Sequence, residues 1–176
     1  MQISISTPSD FNLKRTIISH GWSDLLPFEF DQGSWTLSRV TDLGSAAPVT
    51  VKISAGRRRQ LQISSTARLS KTAEQRVIRD VRHMLRLEDD MAEFYQTMAA
   101  EPEFAWIPLE GAGRLLRSPT VFEDLVKMIC TTNCSWALTS KMVTGLVENL
   151  GREAADGKRS FPTAKAMALK IGRAHV

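Results

Sequence analysis

"SPTVFEDLVKMICTTNCSWALTSKMVTGLVENLG", residues 118–151, holds two apolar repeats of helical period joined by a short polar bridge, and its reading decides the fold of the second half of the chain. Phe122, Leu125, Val126 and Ile129 recur at i, i+3, i+4 and i+7, which predicts one amphipathic helix. Ser118 is placed to cap it, Pro119 suits its first position, and Glu123 brings negative charge to its first turn. Met142, Val143, Leu146, Val147 and Leu150 predict a second helix, with Gly151 expected as a left-handed cap. Two helices joined by so short a turn must fold back on each other and bury those faces together. Thr131, Thr132 and Asn133 then leave the core at the elbow, where Asn and Thr side chains can satisfy local backbone groups. Ser135 reads equally as the cap of the second helix or as a phosphate ligand.

Downstream, "SFPTAKAMA" (160–168) begins a further helix. Upstream, the period changes to two. "FNLKRTII" (11–18), "SWTLSRV" (34–40), "PVTVKIS" (48–54) and "LQIS" (61–64) read as short strands of an antiparallel sheet with one solvated face. Gly56 turns the chain between the last two, leaving Arg57, Arg58 and Arg59 at a tip that is solvated or able to clamp phosphate. From Lys71 a helical period returns, with Val77, Val81, Met84 and Leu85 on one face. Met91, Phe94, Tyr95 and Met98 predict another helix whose stripe is expected in the core. "EPEFAWIPLEGAGR" (101–114) then breaks helicity and reads as a connector. The expected fold class is therefore α+β: a sheet-plus-helix amino-terminal domain over 1–110, then the start of an all-α domain over 111–170.

The chain has 176 residues, 43% of them hydrophobic, enough for a real core, and a formal net charge of +4, which fits a polyanionic partner without demanding one. Cys130 and Cys134 stand alone at i, i+4 with no nearby His, so neither a zinc site nor a disulfide framework is expected. With no run of roughly 18 apolar residues and no leader-like start, a cytoplasmic, monomeric protein is expected, with no metal and no membrane association. The final "IGRAHV" (171–176) matches one reading frame of a widely used sequencing adaptor. It is read as a non-native tail, with native sequence ending near Lys170 and the natural protein continuing.

"GAGRLLRSPTVFEDLVKMICTTNCSWALTSKMVTGLVENLG" (111–151), followed by "SFPTAKAMA", resembles the helix-hairpin-helix DNA glycosylase superfamily, in the branch of the 8-oxoguanine and alkylated-purine enzymes. The likeness rests on Gly111 or Gly113 with Arg114, on Pro119 and Glu123, on the Ile-Cys-x-x-Asn junction at 129–133, and on Phe161-Pro162-Thr163. It covers about residues 111–169 well and the first 100 residues only by architecture. The resemblance implies a base-excision-repair enzyme that flips a damaged purine out of double-stranded DNA and cleaves its glycosidic bond. Extrusion costs a few kcal/mol in stacking and pairing, and a side chain filling the gap offsets part of that.

Asn133 falls where this branch carries its gap-filling Asn or Gln, and its carboxamide has the donors and acceptor suited to base edges. Thr132, Ser135 and Arg114 are the accompanying DNA-binding candidates. Gly21, His20 and Trp136 are candidates for the base pocket. Gly21 falls roughly where the 8-oxoguanine enzymes place a glycine that lets the purine approach the backbone, although "SHGW" also reads as a plain turn. Trp136 could stack on a base, yet its apolar neighbours favour core. One departure stands out: where the 8-oxoguanine enzymes have an arginine five residues beyond the Asn, this chain has Leu138. The catalytic aspartate, any lysine nucleophile, the hairpin and any iron–sulfur cysteines of the superfamily are expected beyond residue 176, so the chain alone is expected to be inert. A non-catalytic DNA-binding module and a protein-interaction domain are the alternative readings.

Overall fold

The computed structural model describes residues 2–44 and 46–171, so the expectation about a non-native tail lies outside the described residues except at Ile171. Five antiparallel strands, β1 (Gln2–Ser6), β2 (Phe28–Asp31), β3 (Thr36–Thr41), β4 (Val49–Ala55) and β5 (Gln60–Ser65), form one sheet in the order β1-β5-β4-β3-β2. Its register sets one apolar row across every strand: Ile3 opposite Ile63, Ile63 opposite Ile53, Ile53 opposite Leu37 and Leu37 opposite Phe30. Side chains alternate along a strand, so a single row of this kind commits a whole face to the core. Arg39, two residues after Leu37, is forced onto that same face, opposite Phe28 and Val51. The Arg57–Arg59 tip is exposed at the β4–β5 turn.

Seven helices accompany the sheet among the described residues: α1 (Leu13–Ile17), α2 (Lys71–Met84), α3 (Ala92–Ala100), α4 (Trp106–Leu109), α5 (Val121–Thr131), α6 (Trp136–Leu150) and α7 (Ala164–Ile171). One continuous cluster of buried side chains takes in the sheet row, Val77, Val81 and Met84 of α2, and Cys130, Val143 and Val147 of the α5–α6 pair. The sheet and the later helices therefore share a core.

Four local expectations are corrected. "FNLKRTII" is a helix rather than a strand: Asn12 caps it by accepting from the Arg15 amide, and Leu13, Thr16 and Ile17 are buried at i, i+3, i+4. The apolar pattern there fits both periods, and the cap decides it. Strands β1 and β2 were not anticipated. The α3 stripe is core only at its start: Met91, at the N-cap, is buried, Tyr95 and Met98 are half-buried, and Phe94 is exposed. Gly151 is extended, at φ −70° and ψ 150°, not left-handed. Its glycine is needed for close approach, because a Cβ there would stand 2.1 Å from the Ser160 carbonyl oxygen and 2.5 Å from that of Val147.

Candidate nucleic-acid interface

Helix α5 begins two residues later than expected. Thr120, not Ser118, is its N-cap and accepts from the Glu123 amide at 3.2 Å, while Ser118 is fully buried. Its inward face also differs from the expected one. Glu123, Lys127 and Cys130 face inward with Phe122 and Val126 partly buried, whereas Leu125 and Ile129, expected in the core, are more than half exposed beside Val121 and Met128. Val121, Leu125, Met128 and Ile129 stand at i, i+4, i+7 and i+8, a continuous apolar stripe along the outside of α5.

Lys127 is buried because the Glu123 carboxylate and the rings of Phe28 and Phe161, the latter 5.8 Å from Nζ, receive its charge. Its Nζ donates to Glu123 Oε1 at 2.8 Å, and Arg39 Nη2 donates to Glu123 Oε2 at 3.0 Å. Lys127 Nζ and the Arg39 guanidinium each lie 4.7 Å from the Phe28 ring centroid. Burial alone would raise the Glu123 pKa, but Arg39 and then Lys127 outweigh it and hold the carboxyl at about 2. Burial pushes the Lys127 pKa down, against the pull of Glu123. Sequence reasoning missed this cluster, although a Glu and Lys at i, i+4 on an otherwise apolar face were visible.

At the elbow, Ser135 caps α6 by accepting from the Leu138 amide, as expected. Thr139 and Cys134 both point back to the Cys130 carbonyl oxygen, at 2.9 and 2.8 Å, and lock the turn. Both cysteines are free, and among the described residues no group of ligands could hold a metal. Thr131 and Thr132 donate to the Met128 carbonyl. Asn133 is different: it is exposed and left-handed at φ 54°, a region Asn tolerates better than most side chains. Leu138, one turn into α6, is also exposed.

The structure brings the three base-pocket candidates together. Gly21 lies left-handed at φ 88° under the ring of Trp136, where a Cβ would meet Cζ2 at 3.0 Å and Cη2 at 3.2 Å. Trp136 is 43% exposed, so the expected core role does not hold. His20 stacks on Trp22 with ring centroids 4.7 Å apart, and its Nδ1 lies 3.0 Å from Ser19 Oγ. Partial desolvation lowers the His20 pKa, with Asp124 opposing and Lys127 assisting. Trp22 in turn donates from Nε1 to Asp124 of α5 at 2.8 Å, which ties the Gly21 turn to the helix pair. The turn follows α1, not a strand.

Arg114 is corrected. It is 1% exposed, and its guanidinium is used internally: on Asp10 Oδ2 at 3.0 Å, on the Asp89 and Arg86 carbonyls at 3.2 and 3.3 Å, and on the Tyr95 hydroxyl at 3.2 Å. Such a fork joins the loop before α1 to the α2–α3 turn and has no donor left for DNA. Asp156 is likewise engaged, accepting from the Thr50 hydroxyl at 2.6 Å.

No family model matches the chain, and no curated protein matches it. Solved structures do. The 3-methyladenine DNA glycosylase from Archaeoglobus fulgidus superposes with a TM-score of 0.73 at 19% identity, over 96% of this chain and 58% of that one. MBOgg1, solved in complex with a low-affinity DNA ligand, superposes with a TM-score of 0.68 at 18% identity, over 96% of this chain and 54% of that one. The chain thus spans little more than half the length of either. At these identities the likeness concerns architecture: an amino-terminal five-stranded antiparallel sheet followed by helices, the fold of the amino-terminal part of these DNA glycosylase structures.

Proposed function

We propose that this chain is the lesion-recognition part of a base-excision DNA glycosylase, with Asn133 as the group that enters duplex DNA where a damaged purine has been extruded. The observation that carries the reading is the elbow itself. Two capped helices converge on a locked turn whose neighbours are tied to backbone carbonyls, and the exposed residue at its apex is a left-handed asparagine. A short carboxamide on a turn whose backbone is held by neighbouring hydrogen bonds needs less ordering on binding than one on a free loop, which favours insertion into a gap. The fold likeness to two DNA glycosylase structures, one solved with DNA, supports the same reading. Thr132 and Ser135 flank the apex, and the half-exposed Trp136 ring, packed over Gly21, offers an aromatic surface for the extruded base.

This reading assigns lesion recognition and binding, not bond cleavage, to the residues described. A second reading, a protein-interaction domain, is favoured by the apolar stripe on α5. Fluorescence anisotropy with an intact duplex and one bearing a single abasic site, over a range of salt, separates the two. The DNA reading predicts salt-dependent binding that prefers the abasic duplex; a protein-interaction domain binds neither.

A further inference from the structure

A cavity of about 350 Å³ lies on the other side of Glu123 from the elbow, between β3, α2 and the starts of α5 and α7. Two features of its wall favour an anion inside.

Two helix N-termini reach it. Thr120 and Phe122 line it at the start of α5, and Thr163 and Ala164 at the start of α7. The Thr120 hydroxyl takes the Glu123 amide and the Thr163 hydroxyl takes the Ala166 amide. The amides of Val121, Phe122, Ala164 and Lys165 are left without an intrahelical acceptor, at the positive ends of both helix dipoles. Helix starts of this kind are ready anion sites once something else fixes a ligand there.

Buried side chains supply that second requirement. Arg39 Nε and Ser160 Oγ are buried side-chain polar atoms that lack a hydrogen-bond partner among the described residues, and both residues line this one cavity. Arg39 is 4% exposed and Ser160 1% exposed. A buried polar atom without a partner favours an acceptor brought to it. The lining carries Arg39 and Arg76 against Glu123, Asp80 and Asp42, and the first two acids are paired, Glu123 with Arg39 and Lys127 and Asp80 with Arg76 and Arg79. Asp42, the remaining acid on the wall, is neutralised by Arg152 at 2.6 Å.

We propose that this cavity binds a phosphate-type oxyanion carried by a small free molecule, held by Arg39 Nε, the Ser160 hydroxyl and the opening amides of α5 and α7. A tetrahedral oxyanion has enough acceptors for all of these at once, and the cavity exceeds the volume of inorganic phosphate, so a small phosphate monoester fits the space. The depth of Arg39 and Ser160 separates this site from one that tracks a polymer backbone. The assignment stands independently of the reading of Asn133.

The test is a titration of the 176-residue chain with inorganic phosphate, against sodium chloride at equal ionic strength, followed by amide NMR. Saturable shifts are expected at Phe122, Ala164, Lys165 and Ser160. Ser160→Ala removes a buried donor, and Ala164→Asp places a carboxylate at the first turn of α7, where it stabilises the helix while repelling the ligand. Each variant is expected to keep the fold and weaken phosphate binding at least fivefold. Shifts no larger than those from chloride, or unchanged affinity in both variants, would overturn the site. Displacement of bound phosphate by an intact duplex, with the same amides shifting, would overturn its assignment to a small molecule.

Discussion

The Nζ of Lys127 lies 2.8 Å from Oε1 of Glu123, one helical turn earlier on α5, and neither side chain is more than 3% exposed. Arg39 reaches the same carboxylate from β3, so this ion cluster fastens the helix that carries the elbow to the sheet. Glu123→Gln would strand two buried cations. Loss of one partner from a buried ion cluster costs about 3–5 kcal/mol, and urea unfolding of the variant should show a loss of that size. A loss under about 1 kcal/mol would mean that the cluster is solvated.

The same carboxylate predicts an acid limb. Its pKa in the fold is held at about 2, below the ordinary 4.5. The stability it contributes is therefore complete above pH 4.5 and is lost as pH falls toward 2. Integrated over that window the contribution is about 3 kcal/mol. Denaturation midpoints measured between pH 7 and pH 2 should fall accordingly, and Glu123→Gln should flatten that part of the profile. A wild-type curve level to pH 2 would contradict the assignment.

Gly21→Ala meets two obstacles, a left-handed backbone at φ 88° and the Trp136 ring at 3.0 Å. The backbone term is about 1 kcal/mol and the ring contact adds to it. The variant should lose about 1–3 kcal/mol of stability with a change in tryptophan fluorescence. Removing the ring relieves only the second obstacle, so the cost of Gly21→Ala should shrink in a Trp136→Ala background. Additive effects of the two substitutions would mean that the residues do not touch.

The outward turn of α5 separates two sets of apolar residues. Ile129→Ala, at a position more than half exposed, should change stability by no more than about 0.5 kcal/mol, while Val143→Ala, fully buried on α6, should cost about 2 kcal/mol. Chemical denaturation of both variants checks the rotation of the helix. Equal losses would restore the inward placement of Ile129.

Much of the architecture was legible in the sequence because period-two and period-3.6 patterns are local. Val49, Val51 and Ile53 announced a strand, and Val77, Val81 and Met84 a helix. What the pattern could not carry was rotation. Leu125 and Ile129 satisfy a helical repeat, yet the inner face of α5 is chosen by Glu123 and Lys127, whose burial depends on Arg39, 84 residues away from Glu123 in sequence. Arg114 stood as a DNA-binding candidate because nothing local showed that Asp10 and the Asp89 carbonyl would enclose it. The meeting of Gly21 with Trp136 is likewise a long-range event, although the family resemblance had pointed to Gly21 and its stacking capacity to Trp136. Asn133 was readable as a turn residue from its type alone, and its left-handed backbone supplies the rigidity that the proposed role requires.

The most direct test of that role is the abasic preference of Asn133→Ala. The wild-type chain should bind a duplex with a single abasic site more tightly than the intact duplex, and the variant should lose roughly 5–30-fold of that preference, the worth of one or two carboxamide hydrogen bonds. Its salt dependence should stay the same, since no phosphate contact is removed. An unaltered preference in the variant, or none in the wild type, would contradict the proposal that Asn133 enters the gap.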